Sequence, residues 1–154
     1  MKNSEQSPSI TLILVAITAS LGGLLSGFDM GVISGALLYI NQTWTLSPLE
    51  QGWLVSSAIV GSVIGAAANG VLADIYGRKK IIIATALIFI AGSLMCGYAA
   101  TAGWLIFSRI IIGIAVGMIS FVAPIYLSEI APEKIRGSLV SLYQLALTAG
   151  ILLS

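Results

Sequence analysis

The sequence predicts an all-α fold, a polytopic bundle of transmembrane helices, and three observations lead there. Hydrophobic residues supply 58% of the chain and charged residues only 8%, whereas soluble domains carry about 25% charged residues. The apolar residues lie in unbroken runs of about 20, the length at which a helix rising 1.5 Å per residue crosses the hydrocarbon core. The basic residues concentrate in alternate connections between those runs, as in proteins threaded through a membrane. Barrel strands are excluded because they alternate polar and apolar over about ten residues, and these runs are apolar throughout.

Five spans follow in order, near residues 11–38, 52–73, 81–100, 104–127 and 138–154, forming one incomplete bundle over 11–154 behind a tail at 1–10. The first run is too long for the core of a signal peptide and lacks a clear cleavage site, so it reads as a retained helix. "NQTWTLSPLEQG" joins spans one and two, "TAG" joins three and four, and neither holds Lys or Arg. "DIYGRKK" and "SEIAPEKIRG" hold five of the seven basic residues and are expected to face the cytoplasm. With Lys2 on that side the amino terminus is expected inside, a multi-pass arrangement in the cell inner membrane. Trp44, Trp53 and Trp104 then fall together near the outer interface. Pro124 and Pro132 are expected to break helix four at its inner end. The fifth run has about 17 residues, the shortest that crosses.

Several functions are excluded early. The chain has no histidine and one cysteine, Cys96, so neither a metal-ligand spacing nor a disulfide is available. No nucleophile, base and metal constellation appears, so neither an enzyme nor a cofactor is expected. A net charge of +1 gives no footing for nucleic acid.

The chemistry that remains lies in a few polar residues among apolar ones. Asp29 interrupts "LLSGFDMGVISG", and intramembrane carboxylates mark pathways or proton relays. Gly23, Gly27, Gly31 and Gly35 recur every four residues and form a stripe for close helix packing, with Asp29 and Ser26 on the opposite side. A second reading has Asp29 capping a break in the helix at Gly27 and Gly31. The only basic residue within any span is Arg109, which shares a face with Gly113, Gly117 and Ser120 and sits at a depth that allows it to meet Asp29. Its alternative is to snorkel to the outer interface. An acid beside a guanidinium suits a proton switch, because desolvation favours the neutral acid while the arginine favours the ionised one. At the inner ends, Gly77 permits a tight turn, Asp74 lies near a helix end, and Glu129, Glu133, Lys134 and Arg136 offer ion pairs to Arg78 and its neighbours. On helix five, Ser141, Gln144 and Thr148 share one side, which suits either a polyhydroxylated ligand or a hydrogen bond to a neighbouring helix.

These stretches resemble the sugar porter family of the major facilitator superfamily. "GVLADIYGRKK" is similar to the family's loop between helices two and three, with Gly70, Asp74, Gly77, Arg78 and Lys79 in place and Ile75 at a position that is often basic. "RIIIGIAVG" resembles the helix-four motif of an arginine followed by two spaced glycines, and "PIYLSEIAPEKIRG" the family's signature. "SGFDMGVISG" resembles helix one of the proton-coupled symporters; facilitative members commonly have a neutral residue at the aspartate. The resemblance implies that Asp29 and Arg109 couple protons, that Gln144 contacts sugar, and that Asp74, Gly77, Arg78, Glu129 and Arg136 form a cytoplasmic gate. It also implies twelve helices in two halves, of which this chain supplies the first five. The expected function is therefore proton-coupled monosaccharide transport as part of a longer transporter, with sugar, protons, the lipid bilayer and a C-terminal half or separate partner chain as its partners. Alone, the chain is expected to be an inactive membrane fragment.

Overall fold

The computed structural model describes residues 10–154; the amino-terminal tail with Lys2 lies outside them, apart from Ile10. Five helices follow: α1 (Ile10–Trp44), α2 (Pro48–Tyr76), α3 (Arg78–Gly97), α4 (Ala102–Ile130) and α5 (Arg136–Leu153). All five are long and apolar enough to cross a membrane, and no strand occurs among the described residues.

Local chemistry sets the helix ends. Ser47 caps α2 through a capping box: its Oγ accepts from Glu50 N at 3.3 Å and its own N–H donates to Glu50 Oε2 at 2.9 Å, with Pro48 in the first turn. Thr101 Oγ1 likewise accepts from Trp104 N at 3.3 Å and starts α4. The α2–α3 connection is a single residue, Gly77, at φ 84°, where a side chain would be strained. Glycine alone makes so abrupt a reversal cheap.

Two sequence readings are corrected. α1 runs unbroken past Gly27, Asp29 and Gly31, so Asp29 caps no helix break. α4 likewise continues through Pro124 to Ile130. Proline removes only the backbone bond to the carbonyl four residues back, here Ser120, and the buried Val122, Ala123 and Leu127 hold the turns on either side. What ends α4 is Pro132, which forces Ala131 into extended backbone at φ −78°, ψ 136°.

α4 is the central helix and packs against the other four. In lipid, helices gain little from burying apolar surface on each other, so close backbone contact has to supply the attraction. Two parallel seams provide it. Between α2 and α4, a methyl group at Gly61 or Gly65 would strike the carbonyls of Ile110 or Ile114, and one at Gly113 or Gly117 those of Ala58 or Ser62. Between α1 and α5, Gly27 meets Leu147, Gly31 meets Ile151 and Ser154, and Gly150 meets Leu24 in the same manner. Gly35, expected on this stripe, has nothing within 4 Å of where a methyl group would sit.

The two seams correspond residue by residue: Gly27 to Gly113, Gly31 to Gly117, Leu147 to Ala58, Ile151 to Ser62 and Gly150 to Gly61. Since Gly22 meets Ile119 while Asp29 meets Arg109, α1 and α4 run antiparallel. The α1–α5 and α4–α2 pairs are therefore inverted copies of one packing unit. The three tryptophans gather at one end, where Trp44 packs with Ile33, Leu46, Leu54 and Leu105.

Substitution tests the seams directly. Gly65→Leu should destabilise the chain in detergent by about 2–3 kcal/mol, as overpacking does, and lower its melting temperature. Gly35→Ala, in open space, should be neutral or slightly stabilising. Equal melting temperatures for the two variants would contradict the seam.

Candidate functional site

Asp29 projects from the side of α1 turned away from the α5 seam, and Arg109 from the first third of α4, one turn before Gly113. Arg109 Nη1 donates to Asp29 Oδ1 at 3.3 Å. Both side chains are largely withdrawn from the surface, with 6% of the Arg109 side chain and 13% of the Asp29 side chain exposed. Arg109 therefore does not snorkel outward: its head group points at a carboxylate on the neighbouring helix.

The geometry of the pair is loose. A charge-assisted N–H···O bond ordinarily closes to about 2.7–2.9 Å, often with both forks of the guanidinium engaged. Here a single long contact is made, and Arg109 Nε is buried with no partner among the described residues. The neighbouring hydroxyls do not fill the gap, because each serves its own helix. Ser26 Oγ donates to Gly22 O at 2.8 Å, Ser57 Oγ to Leu54 O at 2.9 Å, and Ser108 Oγ to Trp104 O at 2.8 Å. A buried ion pair is stable only when its remaining hydrogen-bonding capacity is satisfied. The Asp29–Arg109 pair is thus tight enough to exist and too incomplete to act as a structural clamp.

Space adjoins it on two sides. A crevice of about 270 Å³ between α1, α2 and α4 is lined by Asp29, Arg109, Ser62 and Gly113. A second, of about 390 Å³ between α1, α3 and α4, is lined by Asp29, Arg109, Ser93 and Cys96. Both charges border both crevices, so water or a polar solute entering either one reaches the pair.

At the end opposite the tryptophans, Arg78 Nε lies 2.8 Å from Glu129 Oε1 and 2.9 Å from Oε2, which ties the first residue of α3 to the last turn of α4. Both side chains remain partly exposed. Asp74 and Arg136 are exposed at this end, and neither forms an ion pair among the described residues. Gly77 supplies the turn that brings Arg78 into position.

Gln144 is exposed on α5, as are Ser141 and Thr148. Thr148 Oγ1 donates to the Gln144 backbone carbonyl at 3.0 Å, and the Gln144 amide has no partner among the described residues. It holds no neighbouring helix. The polar side of α5 faces outward from the five-helix unit.

Other residues contribute as well, some of them with a signal in the sequence. Gly61 and Gly65 were legible as a four-residue repeat and complete the seam that seats Arg109. Ser47 and Glu50 were legible as a Ser-x-x-Glu box. Asn69 and Thr85 are buried with side-chain oxygens that lack partners among the described residues, and nothing in their apolar neighbourhoods signals this.

Comparison with known proteins agrees with this architecture. The family described as "Sugar (and other) transporter" matches residues 15–154. The chain is 46% identical over 151 residues to a galactose-proton symporter of Escherichia coli K12, covering 98% of this chain and 32% of that protein. It is 44% identical over 142 residues to the arabinose-proton symporter of the same strain, covering 92% and 30%. Among solved structures, the proton:xylose symporter XylE superposes with a TM-score of 0.79 at 35% identity, over 96% of this chain and 36% of that one. The chain spans about a third of the length of the curated relatives it matches. Five apolar helices, the paired charges of α1 and α4 and the matched sequence lead to one conclusion: the chain belongs to the sugar (and other) transporter family, within the major facilitator superfamily.

Proposed function

We propose that this chain is the amino-terminal portion of a proton-coupled monosaccharide transporter of the cell inner membrane that works by alternating access. The observation that carries the reading is the Asp29–Arg109 pair, an incomplete ion pair inside the membrane-spanning region with crevices on two sides. Protonating Asp29 removes the one charge partner that Arg109 has among the described residues. The unpaired guanidinium then favours whichever conformer gives it water or a new acceptor, so proton occupancy biases the conformational equilibrium. The identity to galactose- and arabinose-proton symporters supports both the proton and the sugar.

Roles for the other residues follow. Arg78 and Glu129, with Asp74, Gly77 and Arg136 beside them, form the cytoplasmic gate; exposed ion pairs are worth about 0–1 kcal/mol, which suits a contact broken in every cycle. Gln144 contacts sugar from the outward-facing side of α5, where its free amide matches a hydroxyl-rich solute. The basic connections support an orientation with the amino-terminal tail and this gate inside the cell. Residues 11–154 are then an incomplete bundle whose opposing half comes from the rest of the transporter or from a separate chain, since alternating access needs two units that move against each other.

Three measurements test the reading in that transporter. Asp29→Asn should abolish uphill accumulation while sugar exchange down its gradient continues; retained accumulation would remove the proton role. Gln144→Ala should weaken sugar binding roughly two- to twelvefold, the loss of one hydrogen bond, with membrane insertion unchanged, and unaltered affinity would exclude the contact. For orientation, Lys79→Cys should be labelled by an impermeant thiol reagent in inside-out vesicles only, and labelling in intact cells would reverse the topology.

A further inference from the structure

We propose that the crevice between α1, α3 and α4 holds a water molecule that completes the Asp29–Arg109 pair and hands Asp29 its proton, with Ser93 of α3 as the residue that positions it; this rests on the proton-coupling reading of Asp29. The inference starts at Arg109 Nε, which is buried with no partner among the described residues, on a residue only 5% exposed. A buried N–H is normally satisfied by protein or by ordered water. Water is held where there is room for it and about two to four polar partners. Arg109 borders two crevices, and the polar groups around them decide between the two.

The packing brings the polar side of α3 level with the pair. α1 and α4 run antiparallel with Gly22 against Ile119, so Asp29, two turns further along α1, lies level with Ile112, two turns back along α4. Gly92 of α3 is at the same level, because a methyl group there would meet the side chains of Ile111 and Ile112. The next residue, Ser93, lines the crevice together with Asp29 and Arg109, and Cys96 lines it one turn nearer the tryptophan end. The crevice on the α2 side has one hydroxyl among its lining residues, Ser62. Ser62 packs against Gly117, more than a turn past Ile112 towards the opposite end.

The groups on the α3 side match the bonding capacity of one water. Ser93 Oγ already donates its proton to Phe89 O at 2.8 Å, so towards the crevice it can only accept. Asp29 accepts and Arg109 Nε donates. A water among them takes the N–H of Arg109 and gives one O–H to Asp29 and the other to Ser93. Leu25, Phe28, Phe89 and Leu105 wall the rest of the crevice and offer water nothing. When an excess proton reaches this water, the hydronium passes one proton to the Asp29 carboxylate. Asp29 becomes the neutral acid, and the water stays on Arg109 Nε and Ser93. No residue of α5 lines this crevice, so the proton and the sugar held at Gln144 approach the bundle on different faces. Ser93 is thus a positioning residue acting through the water.

The test compares Ser93→Ala, Ser93→Thr, Ser62→Ala and Asp29→Asn in the intact transporter, reading sugar-driven proton uptake, sugar exchange down its gradient and melting temperature. Ser93→Ala should slow proton uptake about three- to tenfold, the span of one net hydrogen bond, while exchange and melting temperature stay as they were. Ser93→Thr keeps the hydroxyl and should keep the rate. Unchanged proton uptake in Ser93→Ala overturns the water site. So does a parallel loss of exchange or of melting temperature, which would mark Ser93 as a packing residue, or a Ser93→Thr variant as slow as Ser93→Ala. Slowing of the same size in Ser62→Ala would put the water in the other crevice and overturn the assignment to α3. Retained proton uptake in Asp29→Asn instead sinks the proton-coupling reading on which the site rests.

Discussion

Ionised groups are costly inside a membrane, and Asp29 and Arg109 are tolerated there because each is the other's partner. Much of the arrangement serves that contact. Arg109 needs a helix surrounded by protein, and α4 is that helix, covered by α1, α2, α3 and α5. Asp29 needs a face of α1 not already used for packing, and the glycine stripe turned toward α5 leaves one. Seating both charges makes the contact between α1 and α4 polar at its centre and flanks it with crevices.

The glycine seams make this possible. With no water to drive helix association, backbone approach supplies the attraction, and the α1–α5 and α2–α4 pairs are each close enough that an added methyl would meet a carbonyl. They are inverted copies of one unit, joined across the α1–α4 interface. Firm contacts lie within each unit, while the contacts between them include one long ion pair. Rigid units with weak, exchangeable joints can move against each other without losing their own packing. The Arg78–Glu129 pair adds another joint of this kind between α3 and α4.

Much of the fold was legible from the chain because the membrane restricts the options. Backbone groups in lipid must be satisfied within the segment, so a continuous apolar run of this length becomes a helix. The glycines of α1 and α4 were legible as stripes for the same reason: four-residue spacing returns to one face. Pro124 is instructive, since proline costs one backbone bond and the buried side chains around it keep α4 continuous through the loss. At Pro132, where the following residues are polar, no packing offsets that loss and the helix stops.

The sequence alone determined which segments cross, that an acid and a base lie among them, and that Gly77 makes a turn, because these depend on composition and local backbone sterics. Only the tertiary structure decided which glycine faces which helix, that Asp29 and Arg109 meet through one long bond, that Arg78 selects Glu129 while Asp74 and Arg136 form no ion pair among the described residues, and that the Tyr143 ring is buried against Gly23. Those outcomes depend on the rotation of each helix about its axis and on distances between segments far apart in the chain. Apolar runs that are apolar on every side leave that rotation unspecified until the neighbouring backbones close on the glycines.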